Sequence, residues 1–167
     1  YSGCEDPNYI SYVNKRLAFY EEVERKLYKE ALDKLEGNEL SNLSNSEQSI
    51  FLRGNLVLSA KYDDKEVALK NIAQYKNIQD KRPFYAKSGD VPHLINIAKG
   101  WLALKEGDFQ SSIRFLIEST NTKGSPVLGS FGPDMTLVRV LYKRGYKQAA
   151  LEYLSLSEEF WNTDSAK

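Results

Sequence analysis

Hydrophobic positions recur every three or four residues along most of the chain, which is the spacing of one face of an α-helix. The first such stretch predicts a single long helix from Tyr9 to Leu35, ended by Gly37. A second helix is predicted by Ser44 and Glu47, because their three-residue spacing is that of a capping box. No stretch of the sequence long enough to form a strand alternates apolar and polar residues with a period of two, so no β-strand is expected.

Turn signals divide the rest of the chain into further helices. A third helix, carrying Val67 to Tyr75, is expected to end before Pro83, since the residue ahead of a proline disfavours helical geometry. Asp90 is expected to cap the next helix, with Pro92 in its first turn. The apolar spacing predicts three more helices, carrying Phe109 to Ile117, Met135 to Tyr142 and Ala149 to Trp161.

The later helices fall into pairs around short turns, and the pattern of one pair repeats in the next. The first copy consists of Gly100, Ala103, Gly107, Phe109, Ser112, Leu116 and Ser119. The second consists of Val138, Leu141, Gly145, Ala150, Leu154 and Ser157, and a weaker earlier copy includes Ala68 and Ile72. This series of small and large residues resembles the tetratricopeptide repeat, in which small residues at matched sites let two helices approach closely. The turn glycines are 145 − 107 = 38 residues apart, against about 34 in that repeat, so a short insertion is expected between them.

The resemblance implies an all-α fold in which antiparallel helical hairpins stack as a short tetratricopeptide-like array, a right-handed α-α superhelix. A generic bundle of three helical hairpins also predicts alternating small and large residues and remains an alternative. We expect residues 1–8 to form an N-terminal tail and residues 9–167 to form a single helical repeat domain.

Glycine and proline are concentrated in the segment Gly124 to Pro133, which reads GSPVLGSFGP. Together with a His-bearing helix at His93, an LALxxGD turn and a closing EYxxxxxxFW, it resembles a family of uncharacterised bacterial proteins. That resemblance implies a fold and no particular activity. We expect the segment to be structural, with Phe131 inserted between two repeats and Asp134 capping the next helix. A phosphate-binding role is less favoured because the P-loop spacing is absent.

Composition narrows the possible chemistry. Lys and Arg number 23 and Asp and Glu number 23, so no net charge favours nucleic acid. The basic and aromatic strip from Lys81 to Asp90 is interpreted as an ordinary solvated loop. One Cys and one His exclude a disulfide framework and a multi-histidine metal site, and we expect no metal or cofactor.

The N-terminal residues Tyr1 to Cys4 resemble the end of a bacterial lipobox. The resemblance implies a lipid on Cys4, which would anchor the protein in the cell envelope. The alternative is an ordinary reduced cysteine in a cytoplasmic protein.

The array favours binding over catalysis. We predict a non-enzymatic adaptor whose partner is a protein or peptide held by the first helix of each pair. The predicted contact residues are Asn55, Asn96, Lys99, Arg139 and Lys143. One alternative is a small-molecule-binding or hydrolytic domain that uses His93, oriented by Asp90, with the Gly124 to Asp134 loop. Another is a self-associating module of the cell envelope, paired through the long first helix and the Trp161 end.

Overall fold

The computed structural model describes residues 6–122 and 133–162, and within these residues the chain is all-helical with no strand. The all-α prediction is therefore confirmed for the described part of the chain. Its seven α-helices are α1 (Pro7–Asp33), α2 (Asn45–Tyr62), α3 (Lys65–Asp80), α4 (Asp90–Lys105), α5 (Phe109–Glu118), α6 (Thr136–Lys143) and α7 (Lys147–Asn162). Short 3₁₀ turns occupy Leu40–Asn42 and Phe84–Ala86. The predictions for Cys4, Phe131, the glycines of Gly124 to Pro133 and the Trp161 side chain lie outside the described residues.

The chain divides into two compact units, residues 1–42 and residues 43–167. The first contains α1, and the second contains α2 to α7. The expected boundary between a tail of residues 1–8 and a domain of residues 9–167 stays a prediction.

In the first unit, α1 begins where the Asp6 carboxylate accepts a hydrogen bond from the amide of Asn8 at 2.8 Å. The helix ends at Asp33, and the turn that follows passes through Gly37, whose φ of 77° is easily adopted only by glycine. The apolar side of α1 is only partly covered, since Tyr28 is buried whereas Leu27 is 54% exposed.

The predicted capping box at the start of α2 is confirmed. The Ser44 hydroxyl accepts a hydrogen bond from the Glu47 amide at 3.2 Å, and the Glu47 carboxylate accepts one from the Ser44 amide at 2.8 Å. These hydrogen bonds favour the ionised carboxylate and lower the pKa of Glu47. Local sequence alone therefore sets this helix start.

The prediction that Asp90 caps α4 is wrong. Gly89 precedes the helix, and Asp90 is its first residue, with 1% of its surface exposed. Its carboxylate accepts a hydrogen bond from the Ser88 hydroxyl and forms an ion pair with Arg53, whose Nε lies 3.2 Å from Oδ2. A buried carboxylate needs a cation and donors, and here the cation comes from another helix. Asp134 is likewise one residue away from the predicted cap position, because Met135 directly precedes α6 and makes no side-chain cap, although the Asp134 Oδ1 accepts the Thr136 amide at 2.9 Å.

The described residues of the second unit form three helix pairs, α2 with α3, α4 with α5, and α6 with α7, and the members of each pair contact each other. Both α2 and α3 contact α4. The last pair contacts the middle pair, because α6 contacts both α4 and α5, and α7 contacts α5. Fully buried side chains at the centre include Ile97, Leu116, Leu137, Leu141 and Tyr153.

Two small residues from the repeat pattern form a direct contact inside the α4–α5 pair. The Ser112 hydroxyl donates to the Gly100 carbonyl at 2.9 Å, and both residues are buried. A Cβ at Gly100 would lie 2.5 Å from Cδ2 of Leu137 on α6. The small residue therefore makes room for the next helix pair as well as for α5.

Candidate functional site

The imidazole of His93 lies at a junction of four segments of the second unit. It is 1% exposed, and its Nδ1 lies 3.0 Å from the carbonyl oxygen of Ser119. On the other side of the ring, Nε2 accepts a hydrogen bond from the amide of Asp134 at 3.0 Å. The Asp134 carbonyl in turn accepts a hydrogen bond from the hydroxyl of Tyr153 at 2.5 Å. Side chains of α4 and α7 therefore hold main-chain groups at the end of α5 and ahead of α6.

This geometry fixes the protonation state of the ring. Because Nε2 accepts from an N–H group, the proton of the neutral imidazole is on Nδ1, which donates to Ser119. Burial lowers the pKa of His93, and the partners Ser119, Asp134 and Asp90 oppose that shift only in part. Burial and the nearby Asp134 carboxylate also raise the pKa of Tyr153, so its phenol stays protonated as a donor.

The sequence interpretation of His93 as a general base requires a lone pair that a substrate can reach. The structure does bring His93 to the Asp134 end of the predicted loop, as that interpretation requires. However, both ring nitrogens already bind main-chain groups. The ring is therefore suited to holding the main chain at Ser119 and Asp134 in place. This geometry gives no further support to the hydrolytic alternative.

We expect acidification to destabilise the fold through His93. The unfolded imidazole has a pKa of about 6.5 and the folded one a lower value. The unfolded state therefore binds a proton that the native state does not, and the free energy of unfolding falls as pH drops below about 6.5, by up to about 1.4 kcal/mol per pH unit. Above that pH the contribution is complete. Urea denaturation between about pH 7.5 and 5.5 measures the slope.

His93 is the sole histidine of the chain, so a His93→Gln variant is the matched control for this pH dependence. The slope between about pH 7 and 5.5 should disappear in that variant, because unfolded carboxylates titrate mainly below about pH 5. Equal slopes in the two proteins would contradict the assignment.

Asp90, which was predicted to orient His93, instead belongs to a neighbouring polar cluster. Arg53 from α2 pairs with the Asp90 carboxylate and also hydrogen-bonds to Tyr75 of α3. Burial and the Asp90 charge raise the pKa of Tyr75, so its hydroxyl stays protonated. Arg82 donates to the hydroxyl of Ser49 at 3.0 Å at the same end of α2. These bonds join α2 and α3 to the start of α4.

Asn55, Asn96 and Lys99, which are predicted contact residues, each contact a neighbouring group of the second unit. The amide of Asn55 donates to the Phe51 carbonyl at 2.9 Å, and that of Asn96 donates to the Pro92 carbonyl at 3.1 Å, each on its own helix. The Nζ atom of Lys99 lies 5.9 Å from the ring centre of Phe115 on α5. All three are half-buried.

The other two predicted contact residues, Arg139 and Lys143, are both exposed and lie one turn apart on α6. Between them stands Tyr142, 51% exposed, with Nζ of Lys147 at 5.9 Å from its ring centre. Met135, 37% exposed, lies one turn before Arg139. We call these five residues the α6 patch.

Sequence reasoning missed Met135, Tyr142 and Lys147 as surface residues of this site. The sequence does contain one signal of this surface, which is its local charge. Residues 133–147 contain four cations and one acid, although the whole chain is neutral. The cations are Arg139, Lys143, Arg144 and Lys147, and the acid is Asp134. Local charge therefore indicates the patch where total charge does not.

Among the residues that the structure describes, no group of three or more His, Cys, Asp or Glu side chains could hold a metal ion. In the same part of the chain, no helix has the length and apolar character needed to cross a membrane. Comparison of the chain with protein-family models, with curated proteins and with solved structures gives no match.

Proposed function

We propose that this chain is a non-enzymatic adaptor, built on stacked tetratricopeptide-like hairpins, that binds an acidic segment of a partner protein through the α6 patch. The hairpin stacking is supported by the order of helix contacts, in which each pair packs against the next along the chain. It is also supported by the Gly100–Ser112 approach, which uses matched small residues of the repeat. An array of this kind offers an extended concave surface for binding, lined by exposed side chains of its helices.

The observation that carries the proposal is the exposed face of α6. Met135, Arg139, Tyr142 and Lys143 follow one another at intervals of four, three and one residues, so they lie on one side of the helix. Two of them carry positive charge and two offer apolar surface. Tyr, Met and Arg are the residue types enriched at protein interfaces.

The chemistry of the patch specifies the partner. Cationic groups on either side of an aromatic ring match a peptide in which Asp or Glu flanks an apolar side chain, since such a peptide satisfies both kinds of contact. Arg139 can bind a carboxylate through two parallel hydrogen bonds, which adds directionality. The affinity should therefore fall as salt rises.

Selection of a random peptide library on the intact protein tests this function. Enriched peptides should be acidic, and a fluorescein-labelled copy of the most enriched one then serves as the probe in anisotropy titrations. Reversing both charges, Arg139→Glu with Lys143→Glu, should weaken its binding at least about tenfold, which is about 1.4 kcal/mol.

A matched control reverses two exposed lysines elsewhere, Lys70→Glu with Lys81→Glu on α3 and just beyond it. The total charge change is identical, so only a local effect distinguishes the variants. A library that yields no acidic peptide, or equal weakening by the two pairs, would overturn the proposed function.

The resemblance of Tyr1 to Cys4 to a lipobox supports the further proposal that a lipid anchors this adaptor in the cell envelope. The peptide titrations do not depend on it, because the α6 patch belongs to the second unit.

A further inference from the structure

The first unit presents a second surface, on α1, that the adaptor function does not use. Eight large apolar or aromatic side chains of this helix are 36% to 62% exposed, and six of the eight lie on one side of it. These six are Tyr9, Tyr12, Phe19, Tyr20, Val23 and Leu27, which we call the α1 stripe. Their spacing places them within roughly a third of the helix circumference, on one side. Contiguous apolar surface of this kind usually marks an interaction site.

Arg16 lies in the middle of the α1 stripe and contacts two of its tyrosines. Its guanidinium donates to the hydroxyls of Tyr12 and Tyr20, each at 2.8 Å, and its central carbon lies 5.7 Å from each ring centre. Both hydroxyls act as acceptors and raise the pKa of Arg16. The stripe is therefore an aromatic surface with one oriented cation at its centre.

Two charged residues beside the stripe, Lys15 and Glu22, complement a reversed copy of the same helix. Lys15 and Glu22 are seven residues apart, which is two turns, so they flank the stripe on the same side. If two α1 helices pair antiparallel about a two-fold axis near residue 18, Lys15 of each copy faces Glu22 of the other. Opposite charges thus meet twice across the pair.

The same register also matches the apolar residues. With the axis midway between Lys15 and Glu22, Tyr9 comes to about 1.5 Å from the level of Leu27, Tyr12 to about 3 Å from the level of Val23, and Phe19 to about 1.5 Å from the level of its own symmetry mate. A parallel pair would instead bring equal charges to the same level. A two-fold axis requires such self-complementarity, in which each contact occurs twice.

We infer that α1 mediates antiparallel self-association, with a second copy of this chain covering the α1 stripe. The paired segment from Tyr9 to Leu27 is about 27 Å long. A single helix pair of that length lies at the low end of specific interfaces, below about 1,200 Å² in total. The dimer is therefore expected to dissociate in the micromolar range, about 1 to 100 μM.

Sedimentation velocity of the full chain across about 1 to 100 μM tests the inference, with dimer appearing as concentration rises. Lys15→Glu alone should weaken the dimer by about tenfold, because it sets two carboxylates against each other at both ends of the pair. Glu22→Lys alone should do the same, since it sets two ammonium groups against each other. The double variant, Lys15→Glu with Glu22→Lys, should restore wild-type dimerisation, since the two charges are exchanged.

Lys70→Glu on α3 is the control for a general change of charge and should leave the dimer unchanged. All substituted side chains are exposed, and circular dichroism checks that each variant is folded. A wild-type chain that remains monomeric at every concentration would overturn the inference, as would a double variant no better than the single ones.

Cross-linking tests the direction of pairing separately. In a Cys4→Ser background, Phe19→Cys places one thiol beside its symmetry mate, so mild oxidation should give a disulfide dimer. Tyr9→Cys places the two thiols about 28 Å apart in the antiparallel register, and it should remain monomeric on a gel run without reducing agent. Equal cross-linking at both positions would contradict the antiparallel arrangement.

Discussion

Replacing His93 with alanine is expected to lower the free energy of unfolding by about 3 to 5 kcal/mol. The substitution removes the ring that hydrogen-bonds to two main-chain groups, leaving the Ser119 carbonyl and the Asp134 amide without a side-chain partner. It also leaves a cavity at a site that is 1% exposed. Buried polar groups that lose a partner cost about 1 to 3 kcal/mol each, so their loss and the cavity act together. Urea denaturation followed by circular dichroism measures the change.

Asn96→Ala, one turn further along α4, is the matched control for this prediction. Its amide also donates to a carbonyl, but that carbonyl belongs to Pro92 of the same helix. We expect it to cost less than about 1 kcal/mol. His93→Gln should recover part of the lost stability, because an amide can both donate and accept. If His93→Ala costs no more than Asn96→Ala, the junction does not hold the fold in the way its geometry indicates.

The importance of His93 follows from which chain segments it joins. Ser119 closes α5 and Asp134 precedes α6, so one side chain on α4 fixes the main chain on both sides of the Gly124 to Pro133 segment. Tyr153 of α7 supports the same point through the Asp134 carbonyl. The α6 patch begins at the next residue, Met135. The buried junction therefore positions the helix that carries the proposed binding surface.

Features set by neighbouring residues could be predicted from the sequence. The Ser44–Glu47 capping box needs only groups a few residues apart, and that prediction is confirmed. The turn at Gly145, with a φ of 97°, is local in the same sense. Helical periodicity likewise predicted the all-helical character of the described residues.

Features set by distant residues could not be predicted. The partners of His93 lie 26 and 41 residues away, so nothing beside it in the sequence indicates that both nitrogens are occupied. Asp90 likewise finds Arg53 on another helix, and that contact replaced the predicted cap. Asn55 and Asn96 were predicted from polarity alone, whereas the bonds to their own helices depend on side-chain conformation.

Substitution of Gly100 by valine should lower the free energy of unfolding by about 3 kcal/mol. A Cβ there would lie 2.5 Å from Cδ2 of Leu137, which is fully buried, and 3.5 Å from the Ser112 carbonyl. Leu137 can retreat only into a core that is already filled. Gly54→Val is the control, because that glycine lies in α2 with nothing within 4 Å of its Cβ position. Valine is a better helix former than glycine, so the control should change stability by less than about 0.5 kcal/mol.

A double-mutant cycle with Leu137→Ala isolates the contact between the two helix pairs. Shortening Leu137 removes the Cδ2 atom that the new side chain would meet, so Gly100→Val should cost at least about 1 kcal/mol less in that background. Stacking of the α6–α7 pair on the α4–α5 pair requires this coupling, because Gly100 belongs to one pair and Leu137 to the other. Additive effects of the two substitutions, within about 0.5 kcal/mol, would mean that the pairs do not meet at this point. The α6 patch would then lack the support from α4 on which the adaptor proposal rests.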